Sequence, residues 1–322
     1  MTNNNILKGV FFVALGATSY GMLATYVKLA YQENYTTAEV TSSQFILGIL
    51  GILIINLFQK LKNKDVAEKP SNINILNLML AGSSLGMTSV FYYLCVKYID
   101  VSIAIVLLMQ TVWMGVLLEM ILDKKLPSAQ KTISVVVVLI GTILATNLLN
   151  NQNEIDWRGI FWGMCAAMSF TTTMFTANRV ATHISSAQRS LYMLLGGAVI
   201  VFGFSLYTQI LPNNFKYFHD IFINSPKDLE GIHDFNFEIF LKWGIVLSLF
   251  GTIIPPMLFN IGFPNTGIGL GSIVASLELP VSVMMAYFIL DETVILTQWF
   301  GIILILFAII IMNINFKSTK KL

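Results

Sequence analysis

The chain has 322 residues, of which 56% are hydrophobic and 11% charged, and its mean hydropathy is +0.74. Those proportions exclude a soluble globular domain and imply an integral membrane protein. A formal net charge of only +2 excludes nucleic acid as a partner. Ten apolar segments follow in order, over 6–31, 38–59, 73–96, 101–122, 130–149, 158–181, 187–211, 239–262, 266–290 and 295–315. Each is close to the roughly 20 residues that cross a hydrocarbon core. The fold class is therefore all-α, with ten transmembrane helices. Connections are short except for the basic loop from Gln59 to Asn72 and the polar stretch from Pro212 to Glu238. The opening MTNNNILKG leads into an apolar run too long for a signal-peptide core, so the first helix is expected to be retained.

In the first segment Ala14, Thr18, Gly21, Thr25 and Lys28 share one helical face. Lys28 lies near the outer end, where it either snorkels to the headgroups or faces the protein interior. Gly82 and Gly86 form a GxxxG in the third segment, a packing signal. In the fourth, Glu119 is one turn from the end, where a carboxylate reaches water or Lys124. The sixth carries a second polar stripe, Trp162, Cys165, Ser169, Thr173 and Thr176. Such stripes either let helices approach closely or orient a polar substrate. Cys95 and Cys165 both sit inside apolar runs and suggest neither a disulfide nor a metal clip.

The eighth segment is interrupted by Pro255 and Pro256, with Asn260 a turn later. Proline withholds a backbone donor, so this is either a kink or a broken span that lines a cavity. Before it, the outer loop contains His219, Asp220, His233 and Asp234, whose spacing fits no standard metal site. No metal and no cofactor are expected, and the loop's aromatics suggest a short interfacial segment. The ninth segment, Thr266–Glu292, is the one around which the chain is organised. It places Glu278 near mid-span, two residues before Pro280, which frees the carbonyl of Ser276. Gly267, Gly271, Ala275, Glu278, Ser282 and Met285 fall in one sector of a continuous helix. An acid at that depth costs a few kcal/mol unless it faces water, protein or a partner. It is therefore either a functional group or a structural, hydrogen-bonded acid.

Charge fixes the orientation. With a cytoplasmic N-terminus, thirteen of the 19 Lys and Arg residues fall inside, Arg179 and Arg189 among them, and six fall outside. Both termini are then cytoplasmic. The two halves also resemble each other. Residues 8–30 lie over 158–180 at an offset of 150, and Leu122, Asp123 and Gln130 match Leu290, Asp291 and Gln298 at an offset of 168. At the latter offset Gln110 falls opposite Glu278. Five crossings is an odd number, so the second copy enters the membrane inverted, an arrangement that puts a transporter's site near the midplane. The division expected is 1–150 and 151–322.

These residues resemble the ten-helix members of the drug/metabolite transporter superfamily, built from two EamA-type repeats. The likeness rests on Leu277-Glu278-Leu279-Pro280, Leu290-Asp291-Glu292, Gln298-Trp299-Phe300-Gly301, the paired starts at Gly9 and Gly159, and the TYVKLA context of Lys28. The chain departs from that pattern at Gln44, Val112 and Lys124. The resemblance implies a permease of the cell membrane that effluxes or exchanges a small polar metabolite, such as an amino acid. It also implies a cavity lined by helices one, three, four, six, eight and nine.

On the residues themselves, Glu278 can exchange a proton with either side or pair with an amine, because burial costs the ionised form its hydration. Gln110 would be its neutral partner, and Thr18, Ser169 and Thr173 would orient the substrate. The partners expected are thus a small molecule, the lipid bilayer and protons. The competing classes are an intramembrane enzyme, for which no HExxH or paired aspartates are visible, and a scaffold that transports nothing. Within transport, nucleotide sugars and drug or cation efflux are the alternatives.

Overall fold

In the computed structural model, residues 3–62, 70–99, 101–146, 156–215, 233–291 and 293–313 are described. Lys64, Lys69, His219, Asp220, Glu292 and the C-terminal lysines lie outside them. Among the described residues all regular structure is helical. Each of the ten apolar segments forms a helix: α1 Asn4–Gln32, α2 Thr37–Lys62, α3 Asn72–Val96, α4 Ile103–Asp123, α5 Ala129–Ala145, α6 Trp157–Arg179, α7 Ser186–Asn214, α8 Phe240–Thr266, α9 Ile268–Ile289 and α10 Leu296–Met312. All but the shorter α5 and α10 are long and apolar enough to cross a membrane.

Capping side chains start several of these helices. Ser71, Ser128, Asp156 and Ser185 each accept a hydrogen bond from a first-turn N–H of α3, α5, α6 and α7. Thr36 and Glu39 make a reciprocal capping box at α2, with bonds of 3.1 and 2.8 Å. Glu39 is fully buried. Its carboxylate also accepts from the Asn236 N–H and from Gln209 Nε2, which ties the start of α2 to α7 and to the segment before α8.

The packing repeats under exchange of each helix with the one five later. The contact of α1 with α8 corresponds to that of α6 with α3, α1 with α9 to α6 with α4, and α2 with α8 to α7 with α3. The pairs α2–α7, α4–α9 and α5–α10 correspond to themselves. This is the pattern of two inverted five-helix repeats around a shared axis. At α3–α7 the GxxxG works as its spacing predicts: Gly86 lies against the Gly197 backbone, where an added Cβ would come within 2.8 Å of Cα.

Both α4 and α9 are broken at mid-span. The helix stops at Leu108 and resumes at Thr111, and it stops at Ala275 and resumes at Glu278. The same tight bonds bridge both breaks: Gln110 N–H to Leu107 O and Val112 N–H to Met109 O in one, Leu277 N–H to Val274 O and Leu279 N–H to Ser276 O in the other. Lys124 and Asp291, at φ 50° and 51°, end the two helices in matching left-handed turns. All these correspondences lie 167 residues apart, so Glu278 stands opposite Thr111 and Gln110 opposite Leu277. The register of 168 taken from the Leu-Asp pairs is corrected by one residue, because side-chain type repeats there one step out of phase with the backbone. The Ser276 carbonyl is not free either; the chain tightens by one residue and Leu279 N–H takes it at 3.2 Å.

Candidate functional site

Between α1, α3, α4, α6 and α9 lies a cavity of about 110 Å3. On α1, Tyr20, Ala24, Val27, Lys28 and Tyr31 recur at helical spacing along its wall, and α3 contributes Leu85, Thr88, Ser89, Tyr92, Tyr93 and Val96. Phe170 of α6 and Leu108 of α4 also line it, and α9 supplies Glu278, Leu279 and Ser282. The aromatic rings brace one another: Tyr20 meets Phe170 edge-on at 5.8 Å and Tyr31 meets Tyr93 at 6.4 Å between centroids. Tyr93 Oη donates to Gln44 Oε1 at 3.3 Å, and Tyr31 Oη lies 3.2 Å from Thr37 Oγ1. Gln44, where the sequence departs from the superfamily pattern, thus holds a wall of the cavity.

Local chemistry explains the position of Glu278. Pro280 has no N–H for the Ser276 carbonyl and so fits the break, which α4 makes in the same register with Trp113 in the proline's place; the helix restarts with Glu278 as its first residue. A carboxylate at a helix N-terminus sits at the favourable end of the macrodipole. Helix α1 reaches this break because residue 21 is glycine: a Cβ there would stand 2.5 Å from the Glu278 carbonyl oxygen. The Glu278 side chain is half-buried overall, but its Oε2 is closed off and accepts no hydrogen bond among the described residues. A buried acceptor without a donor is rare in native structures and marks a group retained for strain, hydration or function. Lys28 lines the same cavity from α1, and is half-buried.

The remaining sequence-predicted residues lie elsewhere. Gln110 is not part of the cavity wall; its Nε2 donates to Val106 O at 3.0 Å and its Oε1 accepts from Trp113 Nε1 at 2.8 Å. Thr18 is likewise absent from the lining. Ser169 donates to Ser84 O and Thr173 pairs with Ser84 Oγ, both at 2.8 Å, so the polar stripe of α6 forms a seam with α3. Helix α8 contributes no described lining residue, which corrects the expectation drawn from the superfamily. Its Pro255 and Pro256 enter the first turn after a π-helical stretch, Leu249–Ile253, whose wider turn accommodates them.

Asn260 belongs to a second polar cluster that the sequence reading missed. Arg189 is only 1% exposed, among the largest fully buried side chains. Its guanidinium donates to the carbonyls of Val180, Thr176 and Ala177 at the end of α6 and to that of Asn260 in α8, over 2.7–3.1 Å. Pro264 explains the last bond. It has no N–H, so the carbonyl of Asn260 four residues earlier lacks its helical donor. Asn260 Nδ2 in turn donates to Ser190 Oγ at 2.9 Å. Arg189 therefore acts as a clamp between α6, α7 and α8.

That clamp helps close one end of the bundle. Asn178 Nδ2 donates to Phe263 O at 2.6 Å, Arg179 pairs with Asp123, and Glu119 pairs with Lys131 rather than with Lys124. Helix α6 thus packs directly against α8. The corresponding pair, α1 and α3, instead faces across the cavity. Two repeats of one fold are therefore closed at one end and open at the other.

The profile of the EamA-like transporter family matches residues 7–147 and, a second time, 157–314. The chain belongs to the EamA-like transporter family. Among solved structures that match, one described only as "Crystal structure of protein" shares the fold, with a TM-score of 0.67 over 97% of this chain and 98% of its own at 12% identity. None of the curated proteins matches the sequence. As an EamA-like protein the chain is a multi-pass membrane transporter of the drug/metabolite superfamily, with a small molecule as its cargo. In this EamA-like fold the two family matches coincide with the two five-helix halves, and the cavity lies where α1 of one half meets α9 of the other.

Proposed function

We propose that the protein is a secondary transporter of the cell membrane that exports or exchanges a small polar metabolite, an amino acid or a related compound. Two EamA-type repeats, 1–150 and 151–322, form its halves, and both termini are cytoplasmic. Transport is coupled to protons through Glu278. The single observation that carries this reading is the placement of Glu278, whose Oε2 has no hydrogen-bond partner among the described residues, in the wall of a cavity at the junction of the inverted repeats. The closed α6–α8 seam beside the open α1–α3 wall supports alternating access, since exchanging the two arrangements would open the cavity to the opposite face. A carboxylate that holds either a proton or a cationic group, but not both, makes the two compete, and competition across two faces is antiport.

Proteoliposomes decide between transport and its rivals. Vesicles preloaded with unlabelled amino acids should accumulate labelled substrate by counterflow, and an imposed pH gradient should raise the initial rate severalfold. No flux of any amino acid or related metabolite, with folded protein in the vesicle, would refute the reading.

A further inference from the structure

The helix pairs that exchange under the repeat divide the bundle into two bodies. Helices α1 and α2 pack on α8, and α6 and α7 pack on α3. The bodies are tied along the length of α2–α7: Ser42 Oγ lies 2.6 Å from Ser205 Oγ, and Asn56 Nδ2 donates to Ala187 O at 3.0 Å. At the closed end, side chains of α6 and α7 also bond across to α8. Asn178 Nδ2 donates to Phe263 O at 2.6 Å and Arg189 Nη1 to Asn260 O at 2.8 Å, while Ser190 Oγ accepts from Asn260 Nδ2 at 2.9 Å. The other Arg189 bonds stay within its own body, on carbonyls at the end of α6. The guanidinium is thus held in place whether or not α8 is against it. Asn260 O depends on the crossing bond, because Pro264 gives it no helical donor. Asn260 Oδ1, in the same contact, accepts no hydrogen bond among the described residues. Parting the bodies breaks the crossing bonds but admits water to both acceptors, so the contact is releasable.

The repeat supplies no matching residues at the open end. Thr36 and Ser185 are corresponding helix caps, and Gly48 against Thr252 corresponds to Gly197 against Gly86. Arg189 therefore falls on Val40, which is buried and apolar, and Pro264 falls on Tyr98, which has the backbone N–H that proline lacks. We infer that Arg189, Asn178 and the carbonyl orphaned by Pro264 form a latch that holds one face of the transporter shut, so that the empty protein rests open to the other. This rests on the transport reading and adds which residues set its resting state. On the orientation proposed above, the latched face is the cytoplasmic one. A two-state equilibrium moves only by the difference in free energy between its states, and these bonds exist in one state alone.

Spin labels on cysteines at Lys8 and Thr182, exposed positions on the two bodies at the latched end, report its opening once Cys95 and Cys165 are replaced by alanine. Double electron–electron resonance on the substrate-free protein in lipid nanodiscs should give wild type one dominant distance. Asn178→Ala combined with Ser190→Ala removes bonds that cross between the bodies, and should raise the population of a longer distance at least threefold. Pro264→Ala should shift it the same way, because an alanine N–H serves the Asn260 carbonyl from within α8 and parting from Arg189 then leaves it paired. Should the double variant fail to fold, Pro264→Ala decides alone. A purely structural contact would change the unfolding midpoint of these variants and leave the distances as they are. Unchanged distances in the folded variants would overturn the latch, and intact counterflow would then leave the transport reading standing.

Discussion

Glu278→Gln in reconstituted vesicles is expected to lose the pH-gradient-driven part of substrate flux, a drop of at least tenfold, while the protein remains folded and membrane-inserted. Glutamine keeps the shape and offers hydrogen bonds but carries no proton to exchange. The substitution also removes the negative pole for a substrate ammonium, so binding weakens along with coupling. Fold should survive, because Oε2 has no hydrogen-bond partner among the described residues to lose. Substrate-dependent proton movement, followed with a pH-sensitive dye inside the vesicle, separates the two effects. If Glu278→Gln moved protons with substrate as wild type does, Glu278 would be a structural acid.

The second large effect concerns stability. Arg189→Leu should abolish most accumulation of folded protein in the membrane and lower the unfolding midpoint in detergent by more than 10 °C. Four backbone carbonyls would lose a hydrogen bond at once, although that of Thr176 keeps the Val180 N–H. A buried acceptor left without its partner costs about 1–3 kcal/mol. Disrupting a buried charged network costs roughly 3–5 kcal/mol. Against a net stability of about 5–15 kcal/mol, that is a large fraction. Arg189→Lys should recover only part of the loss, since an ammonium cannot reproduce the planar fork. A midpoint within 2 °C of wild type for Arg189→Leu would mean that the clamp contributes nothing.

Much of the fold was legible because a bilayer imposes simple rules. Segment length, polarity and the doubled pattern mark ten helices, and each apolar run forms one. Glu278 was legible for the same reason, as a charge in mid-span that cannot reach water along its own helix. The cavity walls were not. On α1 the polar face through Thr18 and Lys28 and the true wall through Tyr20 and Lys28 share only the lysine. Periodicity gives a helix two candidate faces and does not say which meets a void. Tyrosines read as packing residues until a neighbour retreats from them. Ser169 and Thr173 show the converse: hydroxyls at helical spacing marked a seam, because in apolar surroundings they bond the nearest carbonyl.

Arg189 was hidden by position. Near the start of α7 it looks like one more positively charged anchor, and only the fold reveals that Pro264, on another helix, creates the carbonyl it serves. The spacing from Asn260 to Pro264 was the available signal. Pro255 and Pro256 left a kink and a broken span as alternatives, and a π-helical turn absorbs them and leaves α8 continuous.

Proton-coupled transport depends on water reaching Glu278 through a cavity between the two repeats, and site-directed labelling tests this most directly. Ser89 lines the cavity and is half-buried, whereas Ile303 is 59% exposed on the apolar outside of the bundle. With Cys95 and Cys165 replaced by alanine, a cysteine at each position is challenged with a membrane-impermeant thiol reagent applied to the face opposite the termini. Ser89→Cys should react at least tenfold faster than Ile303→Cys, and saturating substrate should slow it. A cysteine at 89 as unreactive as one at 303, from either face and with or without substrate, would contradict the account.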